Sequence, residues 1–188
     1  MEISISFILI LFAIHGVNVI FGMQFNRFGI FPRDIDGMRG ILFSPLLHAN
    51  MNHLVANCST LFTLSTLIFW INAYRPVKVL IIVWLTSGLA TWFLGRSAIH
   101  IGASSVIYGL TAYLIVSGFL MKSWVAALIS ILVAFFYGGL AAGVLPEETA
   151  VSWEGHLFGA LAGGWAAFRI HKKPPDSNRQ NRGLRKPS

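Results

Sequence analysis

Apolar residues run along this chain in six long stretches, at about 3–22, 46–72, 77–94, 102–120, 123–143 and 154–170. Each is close to the roughly 20 residues a helix needs to cross a hydrocarbon core. None has the strict alternation of a barrel strand, and in lipid only helices or closed barrels satisfy every backbone group. The pattern predicts an all-α polytopic membrane protein built as a bundle of six transmembrane helices. The fourth stretch opens on small residues and is marginal in apolar content, which predicts burial among the others. Between the first and second stretches, residues 23–45 alternate Phe25, Phe28, Ile30, Phe31, Ile35 and Met38 with charges. So much apolar area in a connection suits a segment lying partly in the membrane interface.

Composition agrees with this solvent. The 188 residues are 55% hydrophobic and 11% charged, against about a quarter charged in soluble domains. That leaves room for one membrane domain, 1–171, followed by a basic, disordered tail, 172–188. The net charge of +7 does not point to nucleic acid, because seven of the fourteen Lys and Arg lie between Arg169 and Lys186. A basic cluster beside the last span fixes topology or meets anionic lipid headgroups. With the N-terminus inside, inner segments hold ten Lys and Arg, namely Arg75, Lys78, Lys122 and those seven; outer segments hold four, Arg27, Arg33, Arg39 and Arg96. The positive-inside rule then puts both termini in the cytoplasm, an arrangement expected in a bacterial inner membrane. Glu2 precedes the first stretch without a basic region or cleavage site, so that stretch reads as a retained span. The single cysteine, Cys58, is expected to pack.

Polar groups inside membrane spans are costly and mark candidate sites. Here they gather in three spans, all toward the ends that the topology places outside. The second span holds His48, Asn50, Asn52, His53 and Asn57; the fourth holds Ser104, Ser105 and Tyr108; the sixth holds Glu154 and His156. Gly102 and Ala103 lead into Ser104, so the hydroxyl stands at a helix start. Small residues there permit close approach, and unused N–H groups can stabilise developing negative charge. Tyr108 lies four residues on, on the same face. His156 flanks a ridge of Gly155, Gly159 and Gly163, a spacing that lets membrane helices approach closely. His53 and Asn57 share one face of their helix and can both donate to an oxyanion. Each residue alone has a bland reading as packing or back-bonding. A metal set of His48, His53 and His156 is disfavoured, since 48 and 53 face apart and no carboxylate or Cys pattern completes it. No metal or cofactor is expected.

Assembled, these residues resemble the rhomboid family of intramembrane serine proteases over about residues 23–168. Ser44-Pro45-x-x-His48-x-x-x-x-His53-x-x-x-Asn57 resembles the second-helix signature, and Gly102-Ala103-Ser104-Ser105-x-x-Tyr108-Gly109 the active-serine motif. Gly155-His156-x-x-Gly159-Ala160-x-x-Gly163 resembles the last-helix histidine motif. The family pattern has Gly where this chain has Ser105; the tyrosine spacing selects Ser104 as nucleophile. Arg39 stands roughly where the family often has Trp-Arg, without the tryptophan. The resemblance implies a Ser104–His156 dyad, an oxyanion held by the Ser104 N–H, His53 and Asn57, and Tyr108 packed on the imidazole, with Gly102 and His48 in support. Substrates would be membrane proteins whose spanning helix unwinds near its outer end. The rival readings are a non-catalytic rhomboid-like protein that binds membrane clients, and a small transporter.

Overall fold

A computed structural model describes residues 2–146 and 151–171, in which every long element is helical. Helix α1 (Glu2–Ile20) leads into a folded segment of short 3-10 turns, within which one α-helical turn, α2 (Gly40–Phe43), is set. Then follow α3 (Met51–Trp70), α4 (Pro76–Leu94), α5 (Ser104–Leu120), α6 (Trp124–Tyr137) with a 3-10 continuation Gly138–Val144, and α7 (Trp153–His171). The boundaries obey capping chemistry. The Asn50 side chain accepts from the His53 N–H at the start of α3, and Ser123 caps α6. Pro76 sits in the first turn of α4, where its missing N–H is no loss.

Four of these helices are long and apolar enough to cross a membrane: Glu2–Ile20, Met51–Trp70, Pro76–Leu94 and Trp124–Val144. The other two are different in kind. Ser104–Leu120 is a shorter apolar helix of 17 residues, and α7 carries Glu154, His156, Arg169 and His171. Helix α5 is clothed by neighbours, whereas α7 is covered on one side and exposes Leu161, Trp165 and Phe168 on the other. Helix α5 packs most heavily on α7, then on α6, while α7 also lies along α4 and α1 rests on α3. Val106, Leu110, Tyr113 and Leu114 of α5 are fully buried, so protein rather than lipid surrounds the serine-bearing helix.

Lipid is as apolar as a leucine side chain, so membrane helices associate by close packing rather than by escape from water. The glycine ridge of α7 supplies that closeness. A methyl group at Gly159 would fall on the Ser105 carbonyl, and one at Gly163 on the Gly109 carbonyl. Both obstacles are backbone and cannot turn aside. Gly163→Ala is therefore expected to push α5 and α7 apart and destabilise the bundle by about 1–3 kcal/mol. Thermal unfolding in detergent checks this, with Gly164→Ala as control, because a methyl there meets nothing within 4 Å.

The segment before α3 is docked rather than loose. The Arg33 guanidinium donates to the carbonyls of Phe93 (3.3 Å) and Gly95 (2.8 Å), closing the C-terminal end of α4. Trp92 Nε1 donates to the Asp34 carbonyl (2.8 Å), and Trp84 Nε1 to that of Ile41 (3.0 Å). Ile30 and His100 form an isolated antiparallel bridge. Facing outward from this frame are Phe31, Ile35, Met38, Leu42 and Phe43, with Ile35 77% exposed. Of the apolar side chains anticipated in this connection, Phe31, Ile35 and Met38 thus point away from the protein, whereas Ile30 is buried and Phe25 and Phe28 are half-buried. The tail assigned to 172–188 lies outside the described residues.

Candidate active site

The starts of α3, α5 and α7 meet at one end of the bundle, and the sequence-selected residues meet with them. Gly102 has φ +115°, a conformation L side chains rarely adopt. Its N–H donates to the Ser44 carbonyl (2.9 Å), which turns the chain sharply into α5. Glycine is required there for space as well: a Cβ would lie 2.8 Å from His53 Cε1 and 3.0 Å from His53 Nε2. Helix α5 then begins at Ser104 with no side-chain cap. Ile107 is the first residue to bond back, to the Ala103 carbonyl (3.1 Å). The helix itself makes no use of the Ser104 N–H, which is left for the positive end of the dipole.

Ser104 Oγ lies 3.0 Å from His156 Nε2. The other ring nitrogen, Nδ1, donates to the backbone carbonyl of Gly143 at 2.9 Å. Tyr108 lies flat on the imidazole, with ring centroids 4.1 Å apart and planes 6° from parallel. On the opposite wall, His53 and Asn57 bracket the Gly102 α-carbon. Asn57 is 8% exposed and its Nδ2 is a buried donor with no partner among the described residues. His48 packs edge-on against His53 at 5.2 Å, and its Nε2 stands at a long 3.5 Å from the Ala103 N–H, behind the serine. Asn50 caps α3 through its Oδ1, which accepts from the His53 N–H (2.9 Å).

A cavity of about 290 Å³ opens onto the pair, lined by Ala49, Asn50, His53, Ile99, Ile101, Ser104, Val151, Ser152 and His156. A larger one of about 520 Å³ lies elsewhere, between α1, α3 and α4, and holds none of these groups. Chemically, the smaller cavity offers a hydroxyl in contact with an imidazole and the His53 ring on its wall, while the Asn57 amide lies outside the lining, beside Gly102. Those are the parts acyl transfer needs. His48 and His53, expected to face apart, instead pack ring to ring, and among the described residues no group of three or more His, Cys, Asp and Glu is placed to hold a metal ion.

Several contacts around the site had no sequence signal. Glu154, 3% exposed, turns away from His156; its Oε1 accepts from the Arg96 N–H (3.2 Å) and faces Arg96 Nε at 3.7 Å. His100 Nδ1 meets Ser152 Oγ at 2.6 Å, while its Nε2 donates to the Arg96 carbonyl at 3.0 Å. Burial pushes the His100 imidazole below its ordinary range, with the Arg96 carbonyl and Glu154 opposing. Ser152 also accepts from the Gly155 N–H (3.2 Å). The connection 95–103 is thereby tied to the first turn of α7, one turn before His156. The Gly143 carbonyl was equally invisible, since any residue carries one; the glycines at 138, 139 and 143 were the nearest hint of a turn.

Comparison with known proteins places these residues in a family. The chain matches the Rhomboid domain over residues 36–173. It is 38% identical over 176 residues to an uncharacterized protein of Mycobacterium tuberculosis, covering 88% of this chain and 73% of that one. An uncharacterized protein of Mycobacterium leprae is 36% identical over 176 residues, covering 88% and 69%. A protein of Acanthamoeba polyphaga mimivirus, named a rhomboid protein, is 31% identical over 129 residues, covering 65% and 69%.

Proposed function

The chain is an integral membrane protein belonging to the rhomboid family, and we propose that it is an intramembrane serine endopeptidase with Ser104 as nucleophile and His156 as general base. The 3.0 Å contact between Ser104 Oγ and His156 Nε2 carries this reading. Ser104 Oγ attacks a peptide carbonyl and His156 Nε2 takes the hydroxyl proton. The tetrahedral oxyanion accepts from the Ser104 N–H, the Asn57 amide and His53. His156 then gives its proton to the leaving amine, and a water repeats the sequence to release the acyl group. No cofactor enters. Six helices, α1 and α3 to α7, span the bilayer within a domain of residues 1–171, with the basic tail 172–188 in the cytoplasm of a bacterium. Substrates are other membrane proteins; a spanning helix must unwind to expose its backbone, so helix-weakening residues near its outer end favour cleavage. The test is cleavage of a reporter transmembrane substrate by the purified protein in proteoliposomes. If wild type binds such reporters without cutting them, the client-binding reading takes its place.

Hydrolysis consumes a water, so the cavity must be wet. At about 30 Å³ per water, its 290 Å³ holds several. In a Cys58→Ala background, Ile99→Cys and Ala49→Cys are expected to react with a membrane-impermeant maleimide added outside whole cells. Labelling only from the cytoplasmic side would reverse the topology, and none from either side would remove the water-filled site.

A further inference from the structure

Serine–histidine hydrolases commonly hold the second imidazole nitrogen with a carboxylate, which fixes the tautomer and steadies the ring. Among the described residues no carboxylate fills that place here. Glu154 is two residues from His156 but is turned to Arg96. What meets His156 Nδ1 is the Gly143 carbonyl, 2.9 Å away. A carbonyl can only accept, so Nδ1 carries the hydrogen and Nε2 presents its lone pair to the Ser104 hydroxyl. Tyr108 fixes the plane of the ring from one side, and the carbonyl fixes its rotation within that plane. The two supports interlock, since a methyl on Gly143 would fall on the Tyr108 hydroxyl.

We infer that Gly143, on the 3-10 turn Gly138–Val144, is the positioning residue for the base. This deepens the protease reading and rests on it. The turn packs against both α6 and α7 and supplies no other group to the reaction. During acylation the proton passes from Ser104 Oγ to His156 Nε2, while the Nδ1 hydrogen stays in its bond to the Gly143 carbonyl. Displacing the turn lets the ring rotate or change tautomer, and the lone pair no longer faces the serine. The α6–α7 connection thereby controls the base without touching the substrate. A glycine is needed at 143 because the carbonyl must come this close beside Tyr108, and any side chain would hold the turn off.

The experiment is nitrogen-15 NMR of the full chain in lipid nanodiscs near pH 8, labelled at histidine and assigned by difference from His156→Gln. The expected signature is a hydrogen-bonded, protonated Nδ1 and a bare Nε2; a protonated Nε2 in wild type would overturn the inference. Gly143→Ala is expected to lose that signature and about 10²-fold in cleavage, the scale of a 1 Å misplacement, while still unfolding at a temperature close to wild type. In a Tyr108→Phe background the obstructing hydroxyl is gone. There, the added methyl still lies 3.1 Å from the ring carbon and 3.3 Å from His156 Nδ1, so Gly143→Ala should regain part of the Nδ1 signature and lose less activity relative to Tyr108→Phe alone than it does in wild type. Equal losses in both backgrounds, with the signature intact in each, would also overturn it. The NMR arm needs no substrate, so its failure removes Gly143 alone, whereas a Ser104→Ala variant that still cleaves removes the catalytic pair.

Discussion

Replacing either Ser104 or His156 by alanine is expected to lower cleavage of a transmembrane reporter by about 10⁴–10⁶-fold, with the double variant no worse than either single one. Nucleophile and base act as a unit, and losses of units are strongly non-additive. The pair makes the one contact at 3.0 Å through which a proton can leave the serine, so removing either end stops the same step. Folding should survive. Ser104 lies at a helix start rather than in the packed seam, and the ridge holding α7 to α5 is built from Gly159 and Gly163, not from His156. Ser105→Ala is the informative control. Ser105 lines a small wedge of about 20 Å³ behind Ser104, with Thr91, His100 and Ser152 among its walls, whereas the hydrogen bond to His156 Nε2 comes from Ser104. Activity should therefore persist there. If Ser104→Ala cleaves normally while Ser105→Ala does not, the nucleophile has been assigned one residue too early.

Much of the architecture could be read in advance because lipid is a demanding solvent. Spans announce themselves when every unpaired backbone group is penalised. The boundaries were less legible. The second apolar stretch starts near 46, yet α3 begins at Met51, because Asn50 caps it and residues 44–46 form a separate 3-10 turn. The fifth stretch continues through 143, but the α-helix stops at Tyr137 where Gly138 and Gly139 follow. Hydropathy does not distinguish an α-helix from a tighter turn of equal apolarity. At the site, the sequence could nominate Ser104, His156, His53 and Asn57 because polar side chains in spans are conspicuous. It could not supply what holds them. Glu154 meets Arg96 across 58 residues of sequence and Ser152 meets His100 across 52, and the partner of His156 Nδ1 is a backbone oxygen. Contacts of that kind exist only once α4, α6 and α7 are packed.

The second large effect is expected at Asn57. Its Nδ2 is buried, points beside the Gly102 α-carbon and has no partner among the described residues. On the proposed protease reading, a donor in that state would meet charge that develops only during reaction, and an interaction made only in the transition state raises kcat rather than lowering KM. Asn57→Ala is therefore expected to lower kcat about 10²–10³-fold, the loss seen when one oxyanion donor is removed, with KM little changed. His53→Ala should add a further loss without reaching the level of Ser104→Ala, because the Ser104 N–H still donates. Stability separates this role from a structural one. Deleting a buried donor that bonds to no described residue leaves no other described group unsatisfied, so beyond its small packing loss the variant should melt near wild type. Asn57→Asp is the sharper substitution: it keeps the shape, exchanges the donor for an acceptor, and should be at least as inactive as alanine. Steady-state kinetics in proteoliposomes, alongside thermal unfolding, reads all of these. Unchanged kcat in a variant altered at both 53 and 57 would take α3 out of the active site and leave the oxyanion to α5 alone.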